Sequence, residues 1–384
     1  MKHCLYCGNN PTPHVIHKFY ESFDILTGSI RRQLNQTWFG KFMDWLTTKV
    51  ALGIFYILHP LGLIRINNNI KFVPYERART LWQEAINQNI LMEEIKPFNQ
   101  SIDLYRARLR DKYLYFMNLP RPETVMTSNL AWIDDKYLLK QKLLQHNFPA
   151  PQGGSFTSFA EASKNFRNLD RPVIVKPRAG SRGRHTTTLV HTEEEFKQAF
   201  RVAKQLCHWV MVEEHLFGDV QRATVIGGKF IGMLGGSPPR VTGDGVSTIE
   251  ELIQIKNSIR PPKVKEIKIN PYFMQRQGLA LSTILPAGKT VDLSEKIGVN
   301  YGGTSYDCTK KTHPDTKQMF EELGKFLNIS IIGFDFIIPD VSKSYKEQKS
   351  GIIEANGAPF IQLHHDPLYG ESINAAKYVW DLVT

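Results

Sequence analysis

The 384-residue sequence predicts a mixed α/β or α+β protein of two or three packed units. Three observations carry that expectation. Short apolar runs of strand length (PVIVKP, VMVEE, IIGFDFII) alternate with longer stretches of helical periodicity. Helix-start signals stand at the boundaries between them. The composition, 42% hydrophobic and 22% charged, is that of a folded chain and excludes disordered, collagen-like and low-complexity classes.

The chain opens on MKHCLYCGNNP, which lacks the apolar core of a signal peptide. Four cysteines (Cys4, Cys7, Cys207 and Cys308) are too few for a disulfide scaffold, so a reducing, cytoplasmic setting is expected. Cys4, Cys7, His14 and His17 together offer four zinc ligands. The six residues between Cys7 and His14 are fewer than the roughly twelve of a zinc finger, which favours free thiols beside surface histidines.

Residues 50–64 (VALGIFYILHPLGLI) are apolar but, broken by His59 and Pro60, fall short of the roughly 20 residues needed to span a bilayer. Trp38, Phe39, Phe42 and Trp45 with Lys41 and Lys49 would suit a membrane interface. The length argument favours a buried helix or an oligomer contact, and a homo-oligomer is expected. The net charge of +11 suits nucleotides, acidic substrates or anionic lipid, but no nucleic-acid-binding motif accompanies it.

Further elements follow in order. Residues 76–89 read as an amphipathic helix, 104–116 as a β-hairpin, and 119–122 as a linker. Asp134 or Asp135 caps a helix through KYLLKQKLLQHN. After the PVIVKP strand come a glycine-rich loop and the strand HTTTLV. Thr192 and Glu195 have capping-box spacing, as do Ser247 and Glu250. Strands follow around VMVEE, RATVIGG and KFIGML. Residues 314–327 are expected to be helical, IIGFDFII and GIIEA to be strands, and INAAKYVWDLV a final helix. The expected division is 1–70, an extension with the CxxC and the apolar helix; 71–128, a small α/β unit; and 129–384, the main domain.

The chemistry concentrates in two places. The loop RAGSRGR has neither a G-x-G-x-x-G fingerprint nor a P-loop pattern. Its glycines, with Arg178, Arg182 and Arg184 just after Lys176, suit an anion cradle for polyphosphate. They suit a hairpin turn with solvated arginines equally well. Near the C-terminus, Asp335 is a lone carboxylate in an apolar strand and needs a cation or several donors. Glu354 and Asn356, two apart in an extended strand, share a face. Such oxygen donors suit Mg²⁺, while the alternative is a salt bridge from Glu354 to a nearby lysine.

Taken in order, Lys136, VIVKP, the glycine loop, VMVEEHLFG, SPPRVTGDGVSTIEELI, VNYGGTSYD, HPDT, GFDFI and GIIEANGAPF resemble the ATP-grasp domain. The similarity is greatest to the ATP-grasp part of cyanophycin synthetases. It is weaker to D-alanine–D-alanine ligases and ribosomal-protein glutamate ligases. It covers roughly residues 129–384 and does not extend to the second, Mur-ligase-like domain of cyanophycin synthetases. The resemblance implies an ATP-grasp fold, with 71–128 as a pre-grasp domain.

The resemblance also implies roles. Lys136, Lys176 and Lys296 would contact ATP phosphates, with Arg178 adding charge and Gly180, Ser181 and Gly183 closing over them. Glu213 would accept from the adenine amino group, beside Glu214 and Leu216. Asp335, Glu354 and Asn356 would ligate two Mg²⁺ ions. The family's ribose-holding acidic residue near Val220 is absent, leaving Asp219, and Gly236 stands where an arginine is expected, with Arg240 nearby. His364 and His365 would line the active-site mouth. The implied activity is a carboxylate–amine ligase acting on an amino acid or peptide. The alternatives are a phosphotransferase and a nucleotide-dependent binding module that docks through residues 1–70 on a membrane or protein partner.

Overall fold

A computed structural model describes residues 4–7, 11–122, 133–181, 183–267 and 269–384. The strands among these residues form four sheets, with orders β1-β2-β3-β4, β5-β8-β6-β7, β13-β10-β9-β14-β15 and β11-β12, where β11 is Arg240–Thr242, β12 Thr290–Asp292 and β13 Thr304–Asp307. Every strand pair within these sheets is antiparallel. The molecule is therefore α+β in the strict sense, because the helices flank hairpin-built sheets and do not serve as crossovers between parallel strands.

The largest sheet holds the main core. Strands β9 (Asp219–Ile226) and β10 (Lys229–Ser237) are joined by Gly227-Gly228, both at positive φ, as a two-residue hairpin turn requires. Strand β14 (Ile331–Ile338) lies between β9 and β15 (Gly351–Asn356). The helix Pro314–Leu327 begins with proline in its first turn and ends at Asn328 in the left-handed region. It buries Met319, Phe320, Leu323 and Leu327 against this sheet. Phe320 stacks on Phe334 and meets Phe336 edge-on, both at 5.4 Å between ring centroids. Each such side chain contributes about 1.5–3 kcal/mol of burial.

Strands β5 (Gly153–Phe156), β6 (Val173–Pro177), β7 (Thr187–Val190) and β8 (Val210–Glu214) form a second wall, backed by Phe159–Asn168 and Glu193–Lys204. The Thr192–Glu195 capping box forms as expected. The second box is shifted by one residue. Thr248 and Glu251 make the reciprocal bonds, because Asp244 engages both the amide and the hydroxyl of Ser247.

The small sheet of β2 (Leu91–Pro97), β3 (Leu104–Leu109) and β4 (Lys112–Met117) also recruits β1 (Ile64–Asn67), ahead of the boundary expected after residue 70. It packs with helix Glu76–Asn87 on the C-terminal helix Ala375–Asp381, where Trp380 Nε1 donates to the Leu81 carbonyl.

The N-terminal extension comprises His14–Gln36 and Trp38–Leu58; the chain then turns at His59-Pro60, so the expected apolar helix does not run on to Ile64. Phe55 anchors it on Ile64 and Ile95. The expectation of a buried helix needs correction, since Trp38, Trp45, Tyr56 and Ile57 are all more than half exposed. No helix among the described residues is long and apolar enough to cross a membrane. The side chains of Phe39 and Lys41 lie outside the described residues.

Candidate functional site

The two walls meet at helix Lys136–Gln145, whose N-cap Asp135 accepts from the amides of Tyr137 and Leu138. One turn separates Lys136 from Lys140, so both project from one helix face. Lys140 reaches β8, where its ammonium lies 2.9 Å from Glu213 Oε1. Lys176 on β6 is a diagonal cross-strand neighbour of Glu213 and lies 2.7 Å from Oε2. The three side chains form a buried cation–anion–cation triad. Burial alone pushes the Glu213 carboxyl up, but the charges of Lys176 and then Lys140 outweigh it and hold the group below its ordinary value.

Lys136 donates to the Gly180 carbonyl at 2.7 Å and stands 3.7 Å from Glu354 Oε1. It thereby joins the glycine loop after β6 to the end strand of the large sheet. In that sheet Asp335 is in register with Arg222 on one side and Glu354 on the other. Arg222 engages Asp335 through two bonds of 2.7 and 2.8 Å. The result is a row, Arg222–Asp335–Glu354–Lys136, in which two adjacent carboxylates are flanked by cations. A bulge between Asp335 and Phe336 keeps Ile352 and Ala355 in the core while Glu354 and Asn356 share the outer face. Asn356 Nδ2 is buried without a hydrogen-bond partner. The amide can turn either its oxygen or its nitrogen outward, so Asn356 has an unused donor or acceptor beside Glu354. This donor set is suited to a hard cation.

Other expected site residues are placed differently. Arg178 is bound bidentately by Asp135 and lies over the Tyr137 ring, so it secures the start of the helix that carries Lys136. Lys296 donates to the Gly183 carbonyl. Ser181 is exposed, its hydroxyl accepting from Arg184. Arg182 lies outside the described residues. Glu214 holds Lys349 and the Gln152 amide, Leu216 is buried, and Asp219 accepts from Arg240 and Tyr306. His364 does not line the site mouth. It is 2% exposed and bonded to Thr224, and burial with the nearby Arg222 charge lowers it to about 4. Cys4, Cys7 and His14 converge, but with His185. His17 instead faces the Leu206 carbonyl and Glu21.

Neither Lys140 nor Arg222 stands out in the sequence. The four-residue spacing from Lys136 was an available signal for the first; Arg222 depends on strand order, which no local pattern supplies.

A bifunctional glutathione synthetase from Pasteurella multocida is similar in structure, with a TM-score of 0.53 and 26% identity over 80% of this chain and 43% of that one. The chain has the ATP-grasp fold. No family model matches it. Its sequence is 31% identical over 263 residues to a glutathione biosynthesis bifunctional protein of Clostridium perfringens and, over the same length, to a cyanophycin synthetase of Crocosphaera subtropica. Each match covers 65% of this chain, which spans about a third of those relatives, 34% and 30% respectively. With the β5–β8 sheet as one jaw and the five-stranded sheet as the other, Lys176 and Glu213 lie on the first, Asp335, Glu354 and Asn356 on the second, and Lys136 and Lys140 on the helix that packs Leu139 and Leu143 into the core of the second.

Proposed function

We propose that the chain is an ATP- and Mg²⁺-dependent ligase that activates a carboxylate of an amino acid or peptide as an acyl phosphate and joins it to an amine, releasing ADP and phosphate. Residues 129–384 would carry the chemistry, with 71–128 as the pre-grasp unit and 1–70 as an added extension. The observation that carries this reading is Lys136, which ties the glycine loop on one jaw to Glu354 on the other. A triphosphate held there would meet Lys136 and Lys176 from one side and the Asp335–Glu354–Asn356 face from the other.

Glu354 and Asn356 are the residues best placed to hold Mg²⁺, with Asp335 shared between that role and Arg222. Bound there, the metal would neutralise phosphate charge and align the γ-phosphate for in-line attack. The protein's own part is positioning and electrostatics. Lys176 and Lys136 supply positive charge where phosphoryl oxygens gain negative charge. The loop at Gly180–Gly183 excludes water that would hydrolyse the acyl phosphate. The similarity to proteins named as synthetases supports the amide-forming direction.

The test is ADP release by the purified protein against pooled amino acids and small peptides, with mass spectrometry of the products. Amine-dependent ADP release with a condensed product is expected. A stable phosphorylated product without condensation would replace the ligase with a phosphotransferase. Glu354→Ala should abolish Mg-ATP turnover while the far-ultraviolet circular dichroism stays native; retained turnover would sink the metal assignment.

A further inference from the structure

Four side chains from three separate stretches aim at one point. Cys4 and Cys7 bracket a short turn closed by the Cys7 amide donating to the Cys4 carbonyl at 3.1 Å. His14 is the first residue of helix His14–Gln36. His185 comes from the loop between β6 and β7 and has no solvent exposure. Its amide donates to the Tyr6 carbonyl at 3.0 Å, which locks that loop onto the CxxC turn.

The sulfur–nitrogen distances are 3.3 Å for Cys7 to His14 and 3.5 Å for both Cys4 and Cys7 to His185. All four donor atoms lie within 4.8 Å of one another. Zinc bonds of about 2.3 Å to sulfur and 2.05 Å to nitrogen, at the tetrahedral angle, give a sulfur–nitrogen edge of roughly 3.6 Å. The three observed edges lie within about 0.3 Å of that length. His185 is also held as a metal ligand requires. Its Nδ1 lies 2.8 Å from the Val202 carbonyl, which fixes the proton on Nδ1 and turns the Nε2 lone pair towards the sulfurs. Both cysteines are free thiols, so no disulfide competes for them.

We propose that Cys4, Cys7, His14 and His185 bind one structural Zn²⁺ ion that staples the N-terminal segment to the β6–β7 loop. Two thiolates and two imidazoles in tetrahedral reach match the preference of zinc and exclude Mg²⁺ or Ca²⁺. The staple grips the same loop whose Gly180 and Gly183 carbonyls take Lys136 and Lys296. Metal binding would therefore also set the position of the cover over the phosphates. That consequence rests on the proposed nucleotide site; the metal site itself does not.

The test begins with elemental analysis of the full chain purified without chelator, where about one zinc per chain is expected. His185→Ala and Cys7→Ser should each lose it, whereas His17→Ala should keep it. Replacing zinc with Co²⁺ should give the visible absorption of a tetrahedral thiolate site in the wild type and in His17→Ala only. Should the ligand variants fail to fold, chelator treatment of the wild type still reads the site by releasing the metal and exposing two thiols. Metal-stripped protein should bind ADP at least about fivefold more weakly than the zinc form. Less than about a fifth of an equivalent, both as purified and after zinc is supplied and dialysed away, would overturn the proposal. So would a Cys4–Cys7 disulfide in the purified chain, or zinc lost in His17→Ala and kept in His185→Ala. Zinc bound with ADP binding absent from both forms would remove the nucleotide reading and leave the metal site standing.

Discussion

Replacing Glu213 with glutamine tests the buried triad most sharply. In the native protein the carboxylate neutralises Lys140 at 2.9 Å and Lys176 at 2.7 Å, and all three side chains are less than a tenth exposed. Glu213→Gln keeps the shape and removes the charge, leaving two ammonium groups facing one neutral amide. Breaking a buried ion pair from one side costs about 3–5 kcal/mol. At roughly 2–4 °C per kcal/mol, the melting temperature of the unit holding β5–β8 should fall by roughly 6–20 °C. The assay is thermal unfolding followed by circular dichroism at neutral pH and low salt. Adding Lys140→Met to the glutamine variant removes one of the two stranded charges and should recover a large part of the loss. The pH dependence has a definite sign. The folded-state carboxyl is held low, so its stabilisation is present above the unfolded value of about 4.3 and is lost as pH falls through the lower folded value. The gap between wild type and variant should therefore close in acid. A fall of less than about 1 kcal/mol at neutral pH, or no recovery in the double variant, would refute the triad as a charge-bearing element.

Two further substitutions probe local structure. Thr248→Ala removes the hydroxyl that accepts from the Glu251 amide and donates to its carboxylate, leaving only the backbone half of the box, and should cost about 1 kcal/mol, read as faster amide exchange in the first turn of helix Ile249–Ser258; unchanged exchange would return the cap to Ser247. Gly218→Ala should cost about 1–3 kcal/mol in urea unfolding, because Gly218 has φ +126 and a Cβ there would stand 2.4 Å from the Ile338 carbonyl oxygen; a neutral result would show that the β8–β9 connection is not strained.

What the sequence revealed and what it hid divide along one physical line. Periodicity and capping are local, and they located helix Pro314–Leu327, strands β14 and β15, and the common face of Glu354 and Asn356. The partners of charged groups are set by which strands lie side by side. Nothing near Asp335 announces Arg222, 113 residues away, or near Glu213 announces Lys140, 73 residues away. The proposed zinc ligands show the same division. Spacing along the chain nominates His17, three residues from His14, but His17 turns to the Leu206 carbonyl and the fourth donor arrives 178 residues beyond Cys7. The capping box slipped by one residue for a smaller reason of the same kind, a neighbouring Asp244 that competes for Ser247.

The expected phosphate-binding cations are each already engaged. Lys176 is neutralised by Glu213, Arg178 by Asp135 and Lys136 by the Gly180 carbonyl and Glu354, while Lys296 holds Gly183. A polyanion entering this site would exchange partners and not simply add contacts. Its affinity would be the difference between bonds made to phosphate and bonds given up to carboxylates and loop carbonyls. The exchange is easiest at Lys136, whose 3.7 Å contact with Glu354 is the longest of the set and whose other bond is to a neutral carbonyl. It is hardest at Arg178, held by two parallel bonds of 2.9 and 2.7 Å. The same geometry that leaves Lys136 the most readily available to a phosphate thus has Arg178 holding the helix in place.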